Sequence, residues 1–219
     1  MIKLSKRLQL VASFVPDNSY VIDVGCDHAL LDIYLVLTKK NIKIIASDIN
    51  EKPLQAAKDN IKKYKLEDKI KVILNDGIKN IDKDISTIVI AGMGGILISE
   101  ILNSKQDLLN IKNIIVAPNN EFPLVRKKLK QMGFYIQEEK LLTEKNITYL
   151  IIKANKDKRK ITNYFFGTLK NDDLETIYYY TKILNNNTII LKKLPKKYIF
   201  KRFKLILQNK SIKRFLNKK

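Results

Sequence analysis

The chain has 219 residues, enough for one full domain and an appendage, and its 45% hydrophobic content supports a buried core. Lysine and arginine outnumber aspartate and glutamate by 42 to 22, which gives a net charge of +20. This excess is unusual for an enzyme of neutral metabolites and favours a polyanionic partner, although an AT-rich genome also produces lysine-rich, arginine-poor proteins. A single cysteine, Cys26, excludes an internal disulfide and a cysteine-rich zinc site.

The first fifteen residues have apolar side chains at helical spacing, with Leu4, Leu8 and Val11 on one face. They contain no apolar run of the length that a signal peptide or a membrane span requires. We therefore expect a cytoplasmic protein that does not act in a membrane.

From residue 19 onward, short apolar runs alternate with amphipathic segments. The runs predict strands within 19–25, 42–49, 69–77, 86–95 and 113–120, and the segments predict helices over 29–40, 52–66, 96–109 and 122–134. Five strands that alternate with helices indicate a parallel sheet covered on both faces. The following stretch, 134–154, predicts two antiparallel strands around the turn TEKN.

A charged linker, NKDKRK at 155–160, separates two regions of different charge. Residues 1–154 carry a net charge of +6, whereas residues 155–219 carry +14. We therefore expect a catalytic domain over 1–160 and a basic helical hairpin over 161–219, which has coiled-coil-like character and whose charge is suited to bind RNA phosphates. Helices are predicted over 171–194 and 196–216. Their aromatic residues could stack on nucleic-acid bases, but helical spacing favours the core for most of them: Tyr178, Tyr179, Tyr180, Phe200 and Phe203.

The turns that follow the five predicted strands carry the chemistry, because ligands of open parallel sheets bind at the carboxyl ends of strands. These turns read DVGCDHA, SDIN, NDG, AGMGG and APNN. The first lacks two of the glycines that a dinucleotide pyrophosphate requires, and Asp23 and Asp27 flank it. Their negative charge disfavours phosphate and attracts an ammonium or sulfonium group, which argues against a nicotinamide cofactor.

Two further carboxylates extend this interpretation to a nucleoside. Asp48 follows Gly25 by 23 residues, a spacing typical of the residue that binds a ribose diol. Asp76, at the end of the third strand, is placed to accept a hydrogen bond from an adenine amino group. Together these turns predict a site for S-adenosylmethionine, with its amino-acid tail at Gly25.

The motifs DVGCDHALLDIYL, SDIN, NDG, IAGMGG and APNN resemble those of the bacterial tRNA (adenine-22-N1)-methyltransferase family over roughly residues 5–165. The resemblance implies a Rossmann-like, class I methyltransferase domain that uses S-adenosylmethionine, followed by a helical coiled-coil domain. It also implies methylation of N1 of adenosine 22 in the D-arm of tRNA. The chain departs from the family at Asp32, where relatives often have proline.

The candidate site residues follow from these turns and from the resemblance. The predicted cofactor-binding residues are Asp23, Gly25, Cys26, Asp27, His28, Asp48, Ile49, Asn50, Asp76, Gly77, Ala91, Gly92 and Met93. The predicted substrate-binding residues are Gly94, Gly95, Pro118, Asn119 and Arg126, where Arg126 could equally be a solvated helix charge. Asp27 and His28 are the predicted catalytic residues, and we expect no metal.

The expected chemistry needs no strong base. N1 of neutral adenine already carries an in-plane lone pair, so catalysis requires in-line positioning in a partly dry pocket. The turn AGMGG has little side-chain bulk and leaves room for a flat base.

Three alternatives stay open: a methyltransferase of another RNA, a methyltransferase of a protein or metabolite, and an RNA-binding protein with a vestigial cofactor fold. A monomer is favoured.

Overall fold

A seven-stranded sheet forms the centre of the structure, a computed structural model that describes residues 2–103, 108–158 and 163–218. The strands are β1 (Tyr20–Val24), β2 (Lys43–Asp48), β3 (Ile70–Leu74), β4 (Thr87–Ala91), β5 (Asn113–Ala117), β6 (Tyr135–Glu144) and β7 (Ile147–Asn155). Their order in the sheet is β3-β2-β1-β4-β5-β7-β6. The first five are mutually parallel, and β7 pairs antiparallel with both β5 and β6. The predicted parallel sheet with an antiparallel hairpin is confirmed.

Helices accompany the strands in the predicted alternation. They are α1 (Lys6–Phe14), α2 (Leu30–Thr38), α3 (Glu51–Lys63), α4 (Gly95–Ile101) and α5 (Phe122–Gln131). In α1, Leu4 just before the helix and Val11 within it are buried, as their spacing predicts. The end of the helix predicted over 96–109 includes residues 104–107, which lie outside the described residues.

The central strands are buried on both faces, which explains their nearly continuous apolar sequences. In β1, β4 and β5, four of the five residues are buried in each strand. The chain order reverses at β1, because β2 lies on one side of it and β4 on the other. A crevice forms outside the carboxyl ends of the strands at such a reversal, so the fold places a ligand site beyond β1 and β4.

The chain divides into two compact units, Met1–Thr168 and Leu169–Lys219. The domain boundary expected from the sequence, between residues 160 and 161, falls in 159–162, outside the described residues. None of the described helices is long and apolar enough to cross a membrane.

The second unit is a hairpin of two antiparallel helices, α6 (Leu174–Lys193) and α7 (Ile199–Leu216). Between them, the Asn187 amide donates to Gln208 Oε1 at 2.8 Å and to Asn209 Oδ1 at 3.0 Å. The Tyr180 ring, 1% exposed, packs edge-on against Phe215. The predicted helical hairpin is present, and its coiled-coil-like character stays a prediction.

The expectation that most aromatic side chains of this hairpin lie in the core is wrong. Tyr180 is buried, but Tyr178 is 47% exposed, Phe203 is 60% exposed and Phe200 is 91% exposed. The spacing of these residues correctly predicted that they lie on helices. Two helices alone, however, cannot cover every apolar side chain that they carry.

Candidate active site

A cavity of about 350 Å³ opens at the carboxyl ends of β1, β2 and β4, within the size range of small-molecule sites. The turns after these strands and the start of α1 contribute its walls. Its lining residues are Arg7, Leu8, Asp23, Gly25, Cys26, Asp27, His28, Leu30, Leu31, Asp48, Ala91, Gly92 and Met93. Nine of the thirteen predicted cofactor-binding residues therefore lie together, and Ile49, Asn50, Asp76 and Gly77 are outside this lining.

The first turn is tied to the end of the neighbouring strand. The backbone amides of Gly25 and Cys26 both donate to the carbonyl of Ser47, at 2.8 and 3.0 Å, and the Ser47 hydroxyl donates to the carbonyl of Asp23 at 3.0 Å. Gly25 has φ +76°, and a Cβ there would lie 2.3 Å from Met93 Cε. The positive φ favours glycine at this position, whereas the Met93 methyl group is the end of a flexible side chain that can move aside.

Asp23 is the most perturbed carboxyl group of the cavity. It is 4% exposed, and burial raises its pKa to about 7, an effect that the Arg7 guanidinium partly offsets and the Asp48 carboxylate reinforces. A carboxyl group held near neutrality by burial gains strongly from a cationic ligand, because the ligand's charge favours ionisation. Asp23 is therefore suited to bind an ammonium group.

Asp27 and His28 form an exposed pair at the mouth of the cavity. His28 Nε2 lies 3.5 Å from Asp27 Oδ1, and their side chains are 54% and 74% exposed respectively. Asp27 has φ +51°, and the His28 carbonyl accepts a hydrogen bond from Asn60 Nδ2 at 2.9 Å. The predicted catalytic roles of Asp27 and His28 stay predictions.

The second turn holds the Asp48 carboxylate through Asn50. Asp48 Oδ1 accepts from the Asn50 backbone amide at 2.9 Å and from its Nδ2 at 3.3 Å, which leaves Oδ2 for a ligand hydroxyl. The backbone amide of Asn75 donates to the Asp48 carbonyl at 2.9 Å and fixes the third turn beside the second. Ile49 is 63% exposed, so its side chain offers an apolar surface next to the cavity.

The third turn places Asp76 on the surface, where Lys79 forms an ion pair with it. Gly77 is buried with φ +66°, and neither Asp76 nor Gly77 lines the cavity. The predicted contact of Asp76 with an adenine amino group stays a prediction.

The fourth and fifth turns are linked by hydrogen bonds from asparagines. Asn119 Nδ2 donates to the Gly92 carbonyl at 3.1 Å, and the Asn119 backbone amide donates to the Met93 carbonyl at 3.0 Å. Asn120 Oδ1 accepts from the Gly95 amide at 2.9 Å, and a Cβ on Gly95 would lie 2.5 Å from the Asn120 carbonyl. The structure therefore brings the predicted substrate residues Gly94, Gly95 and Asn119 together, with the side-chain amide of Asn119 holding the glycine turn.

Pro118 and Arg126 do not present a surface to a ligand. Pro118 is buried. Arg126 is 0% exposed, and its Nε donates to Glu139 Oε1 at 2.6 Å, while its Nη1 donates to the carbonyls of Tyr164 and Phe165. The alternative prediction, that Arg126 is a solvated helix charge, is wrong, because its guanidinium pairs with Glu139 in the interior.

Arg7 is the charged cavity residue that sequence reasoning missed, together with the apolar Leu8, Leu30 and Leu31. Its guanidinium carbon lies 5.1 Å from the centre of the Tyr149 ring, and its Nη1 lies 3.2 Å from where a Cβ on Gly92 would be. Nη1 is buried and has no hydrogen-bond partner among the described residues. Arg7 is one of five arginines in a chain with 42 basic residues, and that rarity was the available signal.

Two further buried groups are Cys26, which lines the cavity, and Asp32, which is outside its lining. Asp32 is 0% exposed, neither carboxyl oxygen has a hydrogen-bond partner among the described residues, and burial together with Asp23 raises its pKa well above the ordinary value. The pKa of the Cys26 thiol is also raised, by burial and by the carboxylates of Asp32, Asp23 and Asp48. The thiol therefore lines the cavity in its uncharged form. In the described parts of the chain, His, Cys, Asp and Glu residues form no group of three that could hold a metal ion.

The family model described as a methyltransferase domain matches residues 4–152. The tRNA (adenine(22)-N(1))-methyltransferase of Bacillus subtilis is 37% identical over 155 residues, which are 70% of this chain and 65% of that enzyme. This chain therefore belongs to the tRNA (adenine-22-N1)-methyltransferase family.

Solved structures of relatives agree over the full length. Streptococcus pneumoniae Sp1610 in complex with S-adenosyl-L-methionine is 32% identical with a TM-score of 0.88, over 98% of this chain and 100% of that one. TrmK of M. capricolum in complex with S-adenosyl-homocysteine is 29% identical with a TM-score of 0.87, over 98% of both chains. The whole chain, including its helical hairpin, therefore has the architecture of these proteins.

Proposed function

We propose that this protein transfers the methyl group of S-adenosylmethionine to N1 of adenosine 22 in the D-arm of tRNA. The observation that carries the proposal is the cavity at the reversal of strand order, where three carboxyl groups, the guanidinium of Arg7 and a glycine turn converge. Relatives that share the full architecture bind S-adenosylmethionine or its product, and the Bacillus subtilis relative is a methyltransferase of this specificity.

The residues of the cavity fit an amino-acid tail. A free amino acid group carries an ammonium and a carboxylate, and the cavity offers a partner for each. Asp23 is suited to the ammonium, and Arg7 Nη1, buried without a hydrogen-bond partner among the described residues, is suited to the carboxylate. Arg7 thus joins the residues predicted from the sequence as a proposed cofactor ligand.

The remaining turns fit the nucleoside. The free Oδ2 of Asp48 is suited to a ribose hydroxyl, and the exposed Ile49 side chain to one face of an adenine ring. When bound, S-adenosylmethionine supplies a methyl group activated by its sulfonium charge.

The chain's own contribution to the transfer is positioning and electrostatics. The glycine turn, held by Asn119, leaves room for the target base, whose N1 lone pair needs no prior deprotonation. The base gains positive charge as it is methylated. We propose that the Asp27 carboxylate stabilises that charge or holds the 6-amino group, and that His28 beside it contacts the substrate or the cofactor carboxylate.

RNA binding is assigned to the basic hairpin. N1 lies on the Watson–Crick edge of adenine, so a paired target must be unpaired at a cost of a few kcal/mol before it can react. Contacts with the RNA backbone offset that cost, and residues 155–219, with a net charge of +14, are suited to neutralise phosphates. We propose that the protein acts as a monomer in the cytoplasm, where its RNA substrate is found.

The proposal is tested with a tRNA transcript that has A22 and a matched transcript with G22. We expect nucleoside mass spectrometry to find 1-methyladenosine only in the first, and only when S-adenosylmethionine is added. The D27A variant should bind S-adenosylhomocysteine but form the product more slowly. N6-methyladenosine as the product, or equal product from both transcripts, would overturn the proposal, and methylation of a protein or metabolite instead would favour the alternative class.

A further inference from the structure

The connection between the two hairpin helices presents an exposed aromatic cluster. We call residues 192–204 the hairpin tip. Within it Tyr198 is 48% exposed, Ile199 is 69% exposed, Phe203 is 60% exposed and Phe200 is 91% exposed. Burial of a single phenylalanine side chain is strongly favourable, so several large apolar side chains in water mark a binding surface.

The backbone of the hairpin tip is fixed by its own hydrogen bonds. Arg202 Nη1 donates to the carbonyls of Leu191 and Leu194, at 2.9 and 2.7 Å, and so satisfies the last carbonyls of α6. The Tyr198 amide donates to the Pro195 carbonyl at 3.1 Å. The aromatic side chains therefore project from an ordered support, which lowers the entropy lost when they bind a partner.

Basic residues are interleaved with these aromatic side chains. Seven of the thirteen residues of the hairpin tip are lysine or arginine, and residues 176–219 contain thirteen basic residues and no acidic one. Lys197 Nζ lies 5.6 Å from the centre of the Tyr198 ring. Within the described part of the hairpin tip, no lysine forms an ion pair. The positive charge is thus available to a polyanion.

We propose that the hairpin tip binds unpaired nucleotides of an RNA, with Phe200 and Phe203 stacking on bases and the neighbouring lysines neutralising phosphates. Alternating rings and cations are the combination that binds single-stranded nucleic acid, because every base has a stacking face. A fully paired A-form helix offers shape, 2′-hydroxyls and phosphates but no free base face, so the exposed rings would gain little from it. The choice of RNA as the partner rests on the proposed function, and the binding of a loop by this tip goes beyond it.

The hairpin tip lies far from the opposite end of the hairpin. Its two ends meet where Asn171 donates to the carbonyl of Lys218, and α6 extends 20 residues from there, or about 30 Å at 1.5 Å per residue. The hairpin tip is therefore the part of the second unit that lies farthest from Asn171 and Lys218. The hairpin tip can therefore contact an RNA loop that lies well away from nucleotides bound at the opposite end of the hairpin.

The test compares two RNA probes of equal length and charge, a fluorescein-labelled stem with an unpaired loop and a fully paired duplex. We expect F200A/F203A to lose about tenfold or more in affinity for the loop probe by fluorescence anisotropy, and to keep wild-type affinity for the duplex. F200Y/F203Y, which keeps the rings, should retain loop binding. L174A removes an apolar side chain that is 82% exposed at the other end of α6 and should change neither affinity.

Several results would overturn the inference. They are an unchanged affinity of F200A/F203A for the loop probe, an equal loss for both probes, and a loss by L174A that matches the double variant. A double variant that loses only binding to phosphatidylglycerol vesicles would assign the tip to a membrane surface, and one that loses only self-association would assign it to a second copy of the chain. The assay needs neither cofactor nor methyl transfer, and S-adenosylhomocysteine binding by F200A/F203A should match wild type, so failure of the proposed function would be seen separately.

Discussion

Cofactor binding should depend on pH through the buried carboxyl of Asp23. An ammonium ligand requires this group in its ionised form, but burial raises its pKa to about 7. Below pH 7 most molecules therefore carry a protonated Asp23 and must release that proton when they bind. Because the ligand favours the ionised form, acidification weakens binding, whereas a carboxyl of ordinary pKa would stay ionised down to about pH 5.

The size of the effect follows from that pKa. With a value of about 7, roughly half of the molecules are ionised at pH 7 and roughly a tenth at pH 6. The association constant for S-adenosylhomocysteine should fall about fivefold between pH 7 and pH 6, and about tenfold for the next unit, which corresponds to ~1.4 kcal/mol. The number of protons released for each ligand bound should rise from about half at pH 7 to about nine tenths at pH 6 and close to one at pH 5.

Isothermal titration calorimetry measures both quantities when it is run in two buffers of different ionisation enthalpy. D23N should bind weakly at every pH and release no proton through this group. H28N is the control, because His28 lines the same cavity, and it should keep the pH dependence. A wild-type affinity that is flat between pH 5.5 and 7, or a dependence that H28N abolishes, would refute the role of Asp23.

Three further predictions concern other carboxyl groups and the buried ion pair. D48A should weaken S-adenosylhomocysteine binding on the order of tenfold to a hundredfold, because a hydrogen bond to a charged group is worth about 1.5–3 kcal/mol. D59A, on the exposed side of α3, is its control and should bind like wild type in the same titrations. R126M should lower the free energy of urea unfolding by about 3–5 kcal/mol by leaving Glu139 buried without its partner, and R126M/E139L should recover much of it, with ligand affinity unchanged in both. Asp32 holds a proton in the folded state at pH values where the unfolded chain releases it, so the stability of the wild type should fall as the pH rises above about 4. D32N should show a smaller fall and be more stable at pH 8, and identical unfolding curves at that pH would contradict the assignment.

The sheet could be predicted from sequence because its central strands are buried on both faces. An uninterrupted apolar run such as the one in β4 (Thr87–Ala91) is typical of a buried parallel strand when it alternates with amphipathic segments. The strand-end turns followed from the same pattern, since polar residues at the ends of parallel strands meet at one edge. That is why nine predicted cofactor residues line one cavity.

The pattern could not predict contacts that depend on which distant segments meet. Arg7 lies on the first helix and reaches the cavity only because α1 packs beside the sheet, which no local spacing reveals. Arg126 has basic neighbours in sequence, and its partner Glu139 lies on another element. The sequence therefore could not show whether the Arg126 side chain is buried or solvated. Phe200 has the helical spacing of a core residue, but the hairpin supplies no third element to cover it.

The opposite charges that this function requires are separated along the chain. A cationic cofactor needs carboxylates, and they stand at the strand ends, where Asp23 and Asp48 line the cavity. A polyanionic RNA needs the reverse, and residues 176–219 contain no acidic side chain at all. Salt screens exposed charges strongly within about 10 Å at ordinary ionic strength, and buried charges much less. Salt should therefore weaken RNA binding steeply and leave S-adenosylhomocysteine binding, which depends on buried groups, nearly unchanged.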